Sequence, residues 1–476
     1  MSKYDIPIVV DLDGTLIQSD ILFESFFNSL PKSIFQPHRL LKSLCDGKSH
    51  LKSYLSDLSK IDICHIPYNK DVLELLKKYK SQGTSIVLAT ATHRVYADAV
   101  AKHLGIFDLV IATEGSVNLS ARNKRDALVT RFGDKGFDYM GNSHDDLCVW
   151  ASSRKAILVN PDLGVERKAR ALVNVDQVLR TKSPVWKVWP RALRFHQWVK
   201  NLLLFVPLLA AHRIWEIDLL FLGLMAFVSF SLCASSVYLL NDLLDLEDDR
   251  HHPTKSNRPF ASGALPLHHG VMAIPALLCL GFSLSLLFLP AGFTLALAAY
   301  YGLTLAYSLT LKRLMMVDVI TLASLYTLRI IAGSLAFGVE LTFWMLAFSM
   351  FLFLSLALVK RYAELHQARK KGGTAKAHGR DYYPGDLQMV SSLGAAAGYL
   401  AVLVLALYIQ DESTLTLYSR PEMIWLACPV LLFWISRVWM ITHRGGMQDD
   451  PVLFAVKDTV SLLTGVLFGL AFWMAI

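Results

Sequence analysis

The chain has 476 residues, of which 54% are hydrophobic and only 18% are charged, and its net charge is +8. A soluble domain usually holds about 45–50% apolar and about 25% charged residues, so the composition excludes an entirely soluble protein. The positive charge fits basic residues in the loops of a membrane protein, and we expect no nucleic-acid partner. The six cysteines form no C-x-x-C pair, which argues against a disulfide framework or a zinc site.

The apolar residues are concentrated in the second part of the chain. Residues 1–182 mix charge with short strand-like runs and predict a soluble domain. Residues 183–197 predict a linker with an amphipathic entry to the membrane. Between residues 198 and 476, apolar runs of roughly 18–24 residues recur, and each is long enough to cross a bilayer core as a helix. We therefore expect a soluble domain followed by a polytopic membrane domain.

The first chemical motif follows residues 8–10, a β-branched run that is typical of a buried parallel strand. The run leads into residues 11–15, DLDGT. One carboxylate of such a pair can attack phosphorus, while the other protonates the leaving group and then activates water. This motif resembles motif I of the haloacid dehalogenase (HAD) superfamily. The resemblance implies that Asp11 is the nucleophile and Asp13 the acid/base.

Three further positions resemble the later motifs of that superfamily, in the same order. The resemblance implies that Thr90 binds a phosphoryl oxygen and that Lys124 neutralises the phosphoryl group. Residues 141–146, GNSHDD, resemble its metal motif, and the implied Mg²⁺ ligands are oxygen donors: Asp11, Asp13, Asn142 and Asp146. Asn142 stands where the family has a carboxylate, and a neutral amide oxygen is a weaker ligand for this cation. The implied fold is an α/β Rossmann-like domain with a small helical cap.

The membrane domain is predicted to hold nine transmembrane helices. The apolar runs lie near residues 198–213, 217–240, 270–289, 292–310, 316–338, 341–359, 390–409, 422–441 and 458–476. If the N-terminal domain is cytoplasmic, the basic residues concentrate in the cytoplasmic loops, as the positive-inside rule requires. We therefore expect an integral protein of the cytoplasmic (inner) membrane with its HAD-like domain in the cytoplasm.

The most informative membrane-domain segment is residues 241–259, NDLLDLEDDRHHPTKSNRP. Asp242, Asp245 and Asp249 are three and four residues apart, so on a helix they share one face and can converge on a divalent cation. Mg²⁺ commonly combines a few carboxylates with phosphate oxygens, and Lys255 and Arg258 could contact the outer oxygens of a diphosphate. The segment resembles the first aspartate-rich motif of the UbiA superfamily, whose members ionise a carbon–oxygen bond to diphosphate. The implied Mg²⁺ ligands are Asn241, Asp242, Asp245 and Asp249.

The second aspartate-rich motif of the aromatic prenyltransferases in that superfamily is missing from the sequence. The corresponding loop begins with residues 358–365, LVKRYAEL, which is basic. Together with residues 197–201, 307–312 and 328–333, it resembles the decaprenyl-phosphate phosphoribosyltransferase branch. Candidate substrate-binding residues in these segments are Lys200, Tyr307, Lys312, Arg329, Lys360 and Arg361. Two readings stay open: Arg329 binds a lipid phosphate or forms a structural ion pair, and Lys360 and Arg361 hold a 5-phosphate or anchor a helix end.

The sequence thus predicts an Mg²⁺-dependent transferase that moves 5-phosphoribose from phosphoribosyl diphosphate to a polyprenyl phosphate within a lipid membrane. The HAD-like domain would remove the 5-phosphate, act on an unrelated metabolite or serve as a regulatory module. One alternative is an aromatic prenyltransferase that uses a polyprenyl diphosphate. A transporter or passive lipid-binding protein would not need the acidic helix face.

Overall fold

The computed structural model describes residues 6–33, 48–114, 118–370, 380–411, 417–447 and 450–476. The chain divides into two compact units, Met1–Leu193 with Tyr238–Ile274 and Arg194–Val237 with Pro275–Ile476. The aspartate-rich segment therefore belongs to the same compact unit as the N-terminal residues. The domain limits drawn at residues 182 and 198 stay predictions.

The first unit is built on a six-stranded sheet in which every neighbouring pair is parallel. The strands are β1 (Ile8–Val10), β2 (Ile86–His93), β3 (Leu109–Thr113), β4 (Asp138–Gly141), β5 (Lys155–Val159) and β6 (Asn174–Leu179). Their order in the sheet is β3-β2-β1-β4-β5-β6. Val9 and Val10 of β1 point to opposite faces and pack into separate hydrophobic clusters. Burial on both faces explains why the central strands are uniformly apolar.

Helices cover the sheet and fill the region between β1 and β2. The helices of this unit are α1 (Ile21–Ser33), α2 (Lys48–Leu58), α3 (Lys70–Ser81), α4 (Arg94–Leu104), α5 (Ala121–Phe132), α6 (Leu147–Ser152), α7 (Val165–Leu172) and α8 (Val185–Ala192). The predicted cap falls on α1 and α2, with residues 34–47 outside the described part of the chain. The predicted linker at 183–197 contains the short helix α8.

Helices, most of them long, make up the described remainder of the chain. They are α9 (Val206–Ala210), α10 (Ile217–Leu244), α11 (Leu246–His251), α12 (Leu267–Phe288), α13 (Ala291–Leu309), α14 (Val317–Phe337), α15 (Phe343–Lys370), α16 (Leu387–Tyr408), α17 (Ala427–His443), α18 (Pro451–Lys457) and α19 (Thr459–Ala475). Short α11 belongs to the first unit, and α10 and α12 each pass from one unit to the other.

The described residues contain seven helices that are long and apolar enough to cross a membrane. The bent pair α18 and α19, with an angle of 84° between them, makes an eighth if it forms one span. The predicted count of nine is therefore not confirmed. The difference is the first predicted span, 198–213, where the chain forms a 3₁₀ helix, Phe195–Phe205, followed by the five-residue α9.

Candidate active sites

The first candidate site lies where β1 and β4 end at the carboxyl edge of the sheet. The Nζ atom of Lys124, in the first turn of α5, lies 2.9 Å from Oδ1 of Asp11 and 3.6 Å from Oδ1 of Asp146. Parallel strands bring their carboxyl ends to the same edge, which is why motifs far apart in sequence meet here. The structure thus places three of the residues that sequence predicted for this site in contact.

Asp146 is held almost entirely by protein donors. Its Oδ2 accepts hydrogen bonds from the backbone amides of Asn142 and Ser143 and from the Ser143 hydroxyl, at 3.0, 3.0 and 3.1 Å. Its Oδ1 accepts from the hydroxyl of Tyr139 at 2.7 Å, and the same hydroxyl accepts from Lys124 at 3.0 Å. Asp146 therefore orients Lys124 through Tyr139. Sequence reasoning missed Tyr139, because a tyrosine inside a strand looks like an ordinary core residue.

Asn142 packs directly against the first motif. Its Oδ1 accepts a hydrogen bond from the Thr15 hydroxyl at 3.2 Å. A Cβ atom built on Gly14 would lie 2.6 Å from the Asn142 Nδ2 atom, and the φ of Gly14 is +74°. Glycine has no Cβ atom and adopts a positive φ without strain, so it fits this position. Asn142 thus lies beside the residues that connect Asp13 to α1.

Asp13 is held by a threonine that sequence reasoning did not choose. Oδ1 of Asp13 accepts from the backbone amide of Ile21 at 2.9 Å, and Oδ2 accepts from the Thr92 hydroxyl at 2.5 Å. The Thr90 hydroxyl instead accepts from the Thr92 backbone amide at 3.0 Å. Thr92 lines the cavity described below, whereas Thr90 is fully buried beneath it. The structure therefore places Thr92 beside the carboxylates and Thr90 in a supporting position.

The charges at this site do not balance. Burial raises the pKa of both Asp11 and Asp13 to about 7, because desolvation disfavours a carboxylate. Burial also disfavours the charged form of Lys124, but the charges of Asp11 and Asp146 outweigh it and raise the Lys124 pKa. Buried Asp11 and Asp146 therefore share the buried Lys124, and half-buried Asp13 adds a third carboxylate to the same site. A cluster of oxygen donors with excess negative charge fits a divalent cation such as Mg²⁺.

These residues line a cavity of about 960 Å³. Beside the carboxylates, its wall includes Asp145 of the β4 loop, Lys182, and residues 266–269 at the start of α12. Asp145 is an exposed carboxylate three residues from Asn142, and sequence reasoning did not single it out. The cavity combines anionic and cationic walls, which suits a phosphate ester held with a cation.

The charge of Lys182 should make phosphate binding in the cavity depend on pH. Burial lowers its pKa to about 8, although the charge of Asp162 acts in the opposite direction. As pH rises through about 8, Lys182 loses its positive charge, so we expect the KM for a phosphate ester to increase on the alkaline side. Measuring KM and kcat from about pH 7 to about pH 9.5 checks this. Lys182→Arg, whose charge persists, should flatten the alkaline rise in KM, and an unchanged rise in that variant contradicts the assignment.

The second candidate site is the aspartate-rich segment in the same compact unit. Nη1 of Arg258 donates to Oδ1 of Asp242 at 3.1 Å and to Oδ2 of Asp249 at 2.7 Å. Asp242 and Asp249 are 2% and 1% exposed. Burial raises the pKa of Asp249 to about 6, although Arg258 lowers it. Two buried carboxylates thus converge on one guanidinium, and the remaining negative charge fits a divalent cation.

The helical run that carries this segment is interrupted at Asp245. α10 ends at Leu244 and α11 begins at Leu246, so one residue interrupts the helix on which the three aspartates were placed. Helical hydrogen bonds nevertheless continue, from Asp245 to the Asn241 carbonyl and from Asp249 to the Asp245 carbonyl, each 2.8 Å. The predicted convergence therefore holds for Asp242 and Asp249. Lys255, by contrast, is exposed, on the 3₁₀ turn Lys255–Asn257.

Arg250, next to Asp249, makes a buried ion pair with the N-terminal domain. Its Nη1 and Nη2 each lie 2.7 Å from a carboxylate oxygen of Glu24 on α1, and the two side chains are only 7% and 3% exposed. Glu24→Gln removes the negative charge and leaves the guanidinium buried, so we expect a loss of about 3–5 kcal/mol in the free energy of unfolding. Denaturant unfolding of the detergent-solubilised protein measures it.

The matched control for that variant is Glu74→Gln, because Glu74 is an exposed carboxylate of α3. We expect it to change the free energy of unfolding by no more than about 0.5 kcal/mol. Equal unfolding midpoints for the two variants would show that the pair of Glu24 and Arg250 contributes little.

In the second unit, Arg329 is 4% exposed and surrounded by neutral groups. Its guanidinium donates to the Asn201 side chain at 3.0 Å, to the Tyr300 hydroxyl at 3.0 Å and to the Leu325 carbonyl at 2.6 Å. It also lies over three aromatic rings, among them Tyr326 at 5.4 Å. Within the described ranges no carboxylate lies at ion-pair distance from Arg329, so the structural ion pair considered from sequence is not formed there.

Lys200 and Lys360 meet at one carboxylate, that of Asp450. The distances from their Nζ atoms to Oδ2 of Asp450 are 2.8 and 3.6 Å. Lys200 also lies over the Tyr326 ring, at 5.6 Å from its centroid. Sequence reasoning missed Asp450, because an aspartate before a proline looks like a helix cap, and it does cap α18. Among the residues that the structure describes, these contacts bring two positive charges to one negative charge.

Arg361 is engaged differently from its neighbour Lys360. Its Nη2 lies 2.6 Å from Oδ2 of Asp318, its Nη1 contacts Glu364, and its side chain is 1% exposed. Arg380 and the Tyr382 hydroxyl also contact Asp318, at 3.4 and 2.7 Å. The structure therefore does not support the idea that Arg361 faces a substrate phosphate. It is a buried structural partner, because an unpaired aspartate at this depth would be costly.

Two more of the predicted substrate-binding residues are Tyr307 and Lys312. The Tyr307 hydroxyl accepts a hydrogen bond from Arg380 at 3.4 Å. Lys312 lies in the 3₁₀ turn Leu311–Arg313 that follows α13. Tyr307 is thus linked to Asp318 through Arg380.

Fold and sites together define a membrane-spanning enzyme with an α/β phosphatase-type domain. Residues 202–457 match the family model of the UbiA prenyltransferase family, and residues 8–149 match that of haloacid dehalogenase-like hydrolases. The chain belongs to the UbiA prenyltransferase family and carries a HAD-like domain in its N-terminal part. Both resemblances predicted from sequence are confirmed, as is the prediction of an enzyme.

Three relatives extend these matches. The uncharacterized protein y4nM of Sinorhizobium fredii is 36% identical over 473 residues, which are 99% of this chain and 91% of that protein. Nodulation protein NoeC of Azorhizobium caulinodans is 38% identical over 289 residues, 60% of this chain and 92% of that protein. Decaprenyl-phosphate phosphoribosyltransferase of Mycobacterium tuberculosis is 34% identical over 277 residues, 57% of this chain and 88% of that protein.

Proposed function

We propose that the chain transfers 5-phosphoribose from phosphoribosyl diphosphate to a polyprenyl phosphate, and that its HAD-like domain then removes the 5-phosphate. The observation that carries the transfer step is the convergence of buried Asp242 and Asp249 on Arg258. The similarity to a decaprenyl-phosphate phosphoribosyltransferase supports the choice of donor and acceptor.

At the aspartate-rich segment, the roles follow from charge. Asn241, Asp242, Asp245 and Asp249 are the proposed holders of Mg²⁺, which when bound neutralises a departing diphosphate. Arg258 donates hydrogen bonds to phosphate oxygens once a cation occupies the two carboxylates that now hold it. Exposed Lys255 adds a positive charge at the same segment. Negative charge that develops on the leaving group is thereby stabilised by groups already in place.

The buried cations of the second unit support an anionic acceptor. Arg329 lies among neutral partners, so its charge is available to a phosphate. The combined positive charge of Lys200 and Lys360 exceeds the negative charge of Asp450, which both contact. A buried ionised side chain in a membrane protein is expensive and therefore usually functional. A ring acceptor without a phosphate would not bind to these charges. That contrast favours a polyprenyl phosphate over a ring acceptor.

The wall of the phosphatase cavity supports a membrane-bound substrate. Residues 266–269 line the cavity, and α12, which begins at Leu267, is long and apolar enough to span a membrane. A phosphate ester attached to a lipid would approach along that helix. Asp11 would attack its phosphorus while Asp13 protonates the departing oxygen and Lys124 stabilises the phosphoryl group. Water activated by Asp13 would then hydrolyse the aspartyl phosphate, which restores Asp11 and releases inorganic phosphate. We place this domain on the cytoplasmic side of the inner membrane, since the loops rich in Lys and Arg would share that side.

The direct test uses purified protein, Mg²⁺, polyprenyl phosphate and phosphoribosyl diphosphate labelled in the ribose. We expect label in the lipid fraction and, from the same protein, release of inorganic phosphate. Prenyl diphosphates should compete weakly for the donor site. If prenyl diphosphate instead reacts with an aromatic acceptor while phosphoribosyl diphosphate yields no labelled lipid, the protein is an aromatic prenyltransferase.

A further inference from the structure

A group of metal-binding side chains lies outside both candidate sites. It consists of Asp62, His65 and His251, each of which offers one ligand atom, and these atoms all lie within 4.8 Å of one another. Asp62 and His65 belong to the turn between α2 and α3, and His251 is the last residue of α11. All three residues belong to the first compact unit. The cysteine spacing gave no hint of this group, because its donors are imidazoles and a carboxylate.

Two histidines approach the same carboxylate oxygen. Nδ1 of His65 lies 2.7 Å and Nε2 of His251 lies 3.0 Å from Oδ2 of Asp62. The other oxygen, Oδ1, accepts a hydrogen bond from the backbone amide of Cys64 at 3.0 Å. This bond orients the carboxylate and leaves Oδ2 for the two imidazoles. The three donor atoms are therefore arranged around one point before any ligand arrives.

The orientation of His251 favours a metal ligand. Its Nδ1 lies 2.9 Å from the carbonyl oxygen of Glu247, which can only accept a hydrogen bond, so Nδ1 carries a hydrogen. In the neutral ring the lone pair is then on Nε2, the atom that faces Asp62. Nε2 therefore meets Oδ2 of Asp62 either as a donor in the protonated ring or, once that proton is lost, as an atom that can bind a metal ion. Metal-binding histidines are commonly oriented in this way, with the second nitrogen donating to a backbone carbonyl.

We infer that Asp62, His65 and His251 bind a divalent transition-metal ion of the zinc class. Imidazole suits Zn²⁺, whereas Mg²⁺ prefers oxygen ligands, so this site differs chemically from the carboxylate clusters above. The side chains of Asp62, His65 and His251 are 31%, 50% and 44% exposed, so water can complete the coordination. Two imidazoles, one carboxylate and a water make the four ligands that Zn²⁺ usually takes.

The ion would fasten α11 to the turn between α2 and α3. Asn28 already links the same two segments: its Oδ1 accepts from the Lys60 backbone amide at 3.1 Å, and its Nδ2 donates to Glu247 at 2.6 Å. The metal would reinforce this connection. Because α11 also carries Asp249, bound Zn²⁺ would stiffen the helix that presents one carboxylate of the aspartate-rich segment.

The test measures Zn²⁺ binding to the full-length protein, stripped with chelator and kept in millimolar Mg²⁺ so that the carboxylate clusters are occupied. Equilibrium dialysis should show one more bound Zn²⁺ in the wild type than in the double variant His65→Ala, His251→Ala. Asp62→Asn keeps an oxygen for the Cys64 amide but loses the charge. Loss of a residue that only hydrogen-bonds a metal ligand lowers metal affinity by about 10–100-fold. Asp62→Asn should lower the Zn²⁺ affinity by more than that, because Asp62 is a proposed ligand itself.

His50→Ala removes an exposed histidine of α2 outside the group and should leave Zn²⁺ binding unchanged. Added Zn²⁺ should also raise the melting temperature of the wild type but not of the double variant, because only the folded site binds the ion. Equal Zn²⁺ stoichiometry in the wild type and a correctly folded double variant would overturn the inference. The three side chains would then form a hydrogen-bonded group only.

Discussion

Asp11→Asn should abolish release of inorganic phosphate from a phosphoribosyl lipid while leaving transfer of phosphoribose intact. The amide keeps the shape of the side chain and its contact with the Leu12 backbone amide, which now donates to Asp11 at 2.9 Å. It is not a nucleophile, so the rate of phosphate release should fall by about 10³-fold or more. Transfer should persist, because the residues proposed for that step lie in the aspartate-rich segment.

The assay supplies the purified phosphoribosyl lipid and follows free phosphate, with Asp71→Asn as the control for an exposed aspartate of the same domain. The control should match the wild type. If Asp11→Asn releases phosphate from the lipid at the wild-type rate, the proposed coupling of the two activities fails. Loss of phosphate release together with loss of transfer would instead indicate that the substitution disturbs the whole unit.

Asp249→Asn should have the opposite effect and abolish phosphoribosyl transfer. The asparagine is isosteric and can still accept a hydrogen bond from Arg258, which lies 2.7 Å from the aspartate. It removes one of the two buried charges that would hold the cation. Several kcal/mol of transition-state stabilisation depend on such an ion, so the transfer rate should fall by about 10²-fold or more.

The chain offers a matched control in the preceding residue. Asp248 is exposed, whereas Asp249 is buried, so Asp248→Asn removes the same charge next to the site without touching it. Transfer of labelled phosphoribose should be close to normal in Asp248→Asn. Phosphate release from supplied phosphoribosyl lipid should continue in Asp249→Asn, which shows that the protein is folded. Normal transfer by Asp249→Asn would remove the basis for a cation at this segment.

Both carboxylate clusters were predictable because each depends on a local pattern. A strand that ends in Asp11 and Asp13 indicates a carboxylate pair at a sheet edge whatever surrounds it. The three- and four-residue spacing of Asp242, Asp245 and Asp249 likewise places carboxylates on one side of a helix, and the interruption at Asp245 does not undo this for Asp242 and Asp249. Both family resemblances depended on such short segments.

Local detail within an element was harder to predict. Thr90 and Thr92 are two residues apart on β2 and would share a face of a regular strand. The pairing of β2 with β3 shifts register between Thr90 and His93, so the end of the strand is irregular. Sequence carries no signal for this irregularity. The first predicted span is not confirmed for a related reason, since an apolar run of sufficient length can fold as a 3₁₀ helix and a short helix instead.

The sequence by itself determined the class of each domain and most of the residues that could do chemistry, because strand, helix and motif patterns are properties of neighbouring residues. Tertiary structure alone decided which charges meet. Arg361 pairs with Asp318, Lys200 with Asp450 and His251 with Asp62, and each partner is distant along the chain. A charge is a substrate ligand, a structural partner or a metal ligand according to its neighbours, and long-range packing supplies those neighbours.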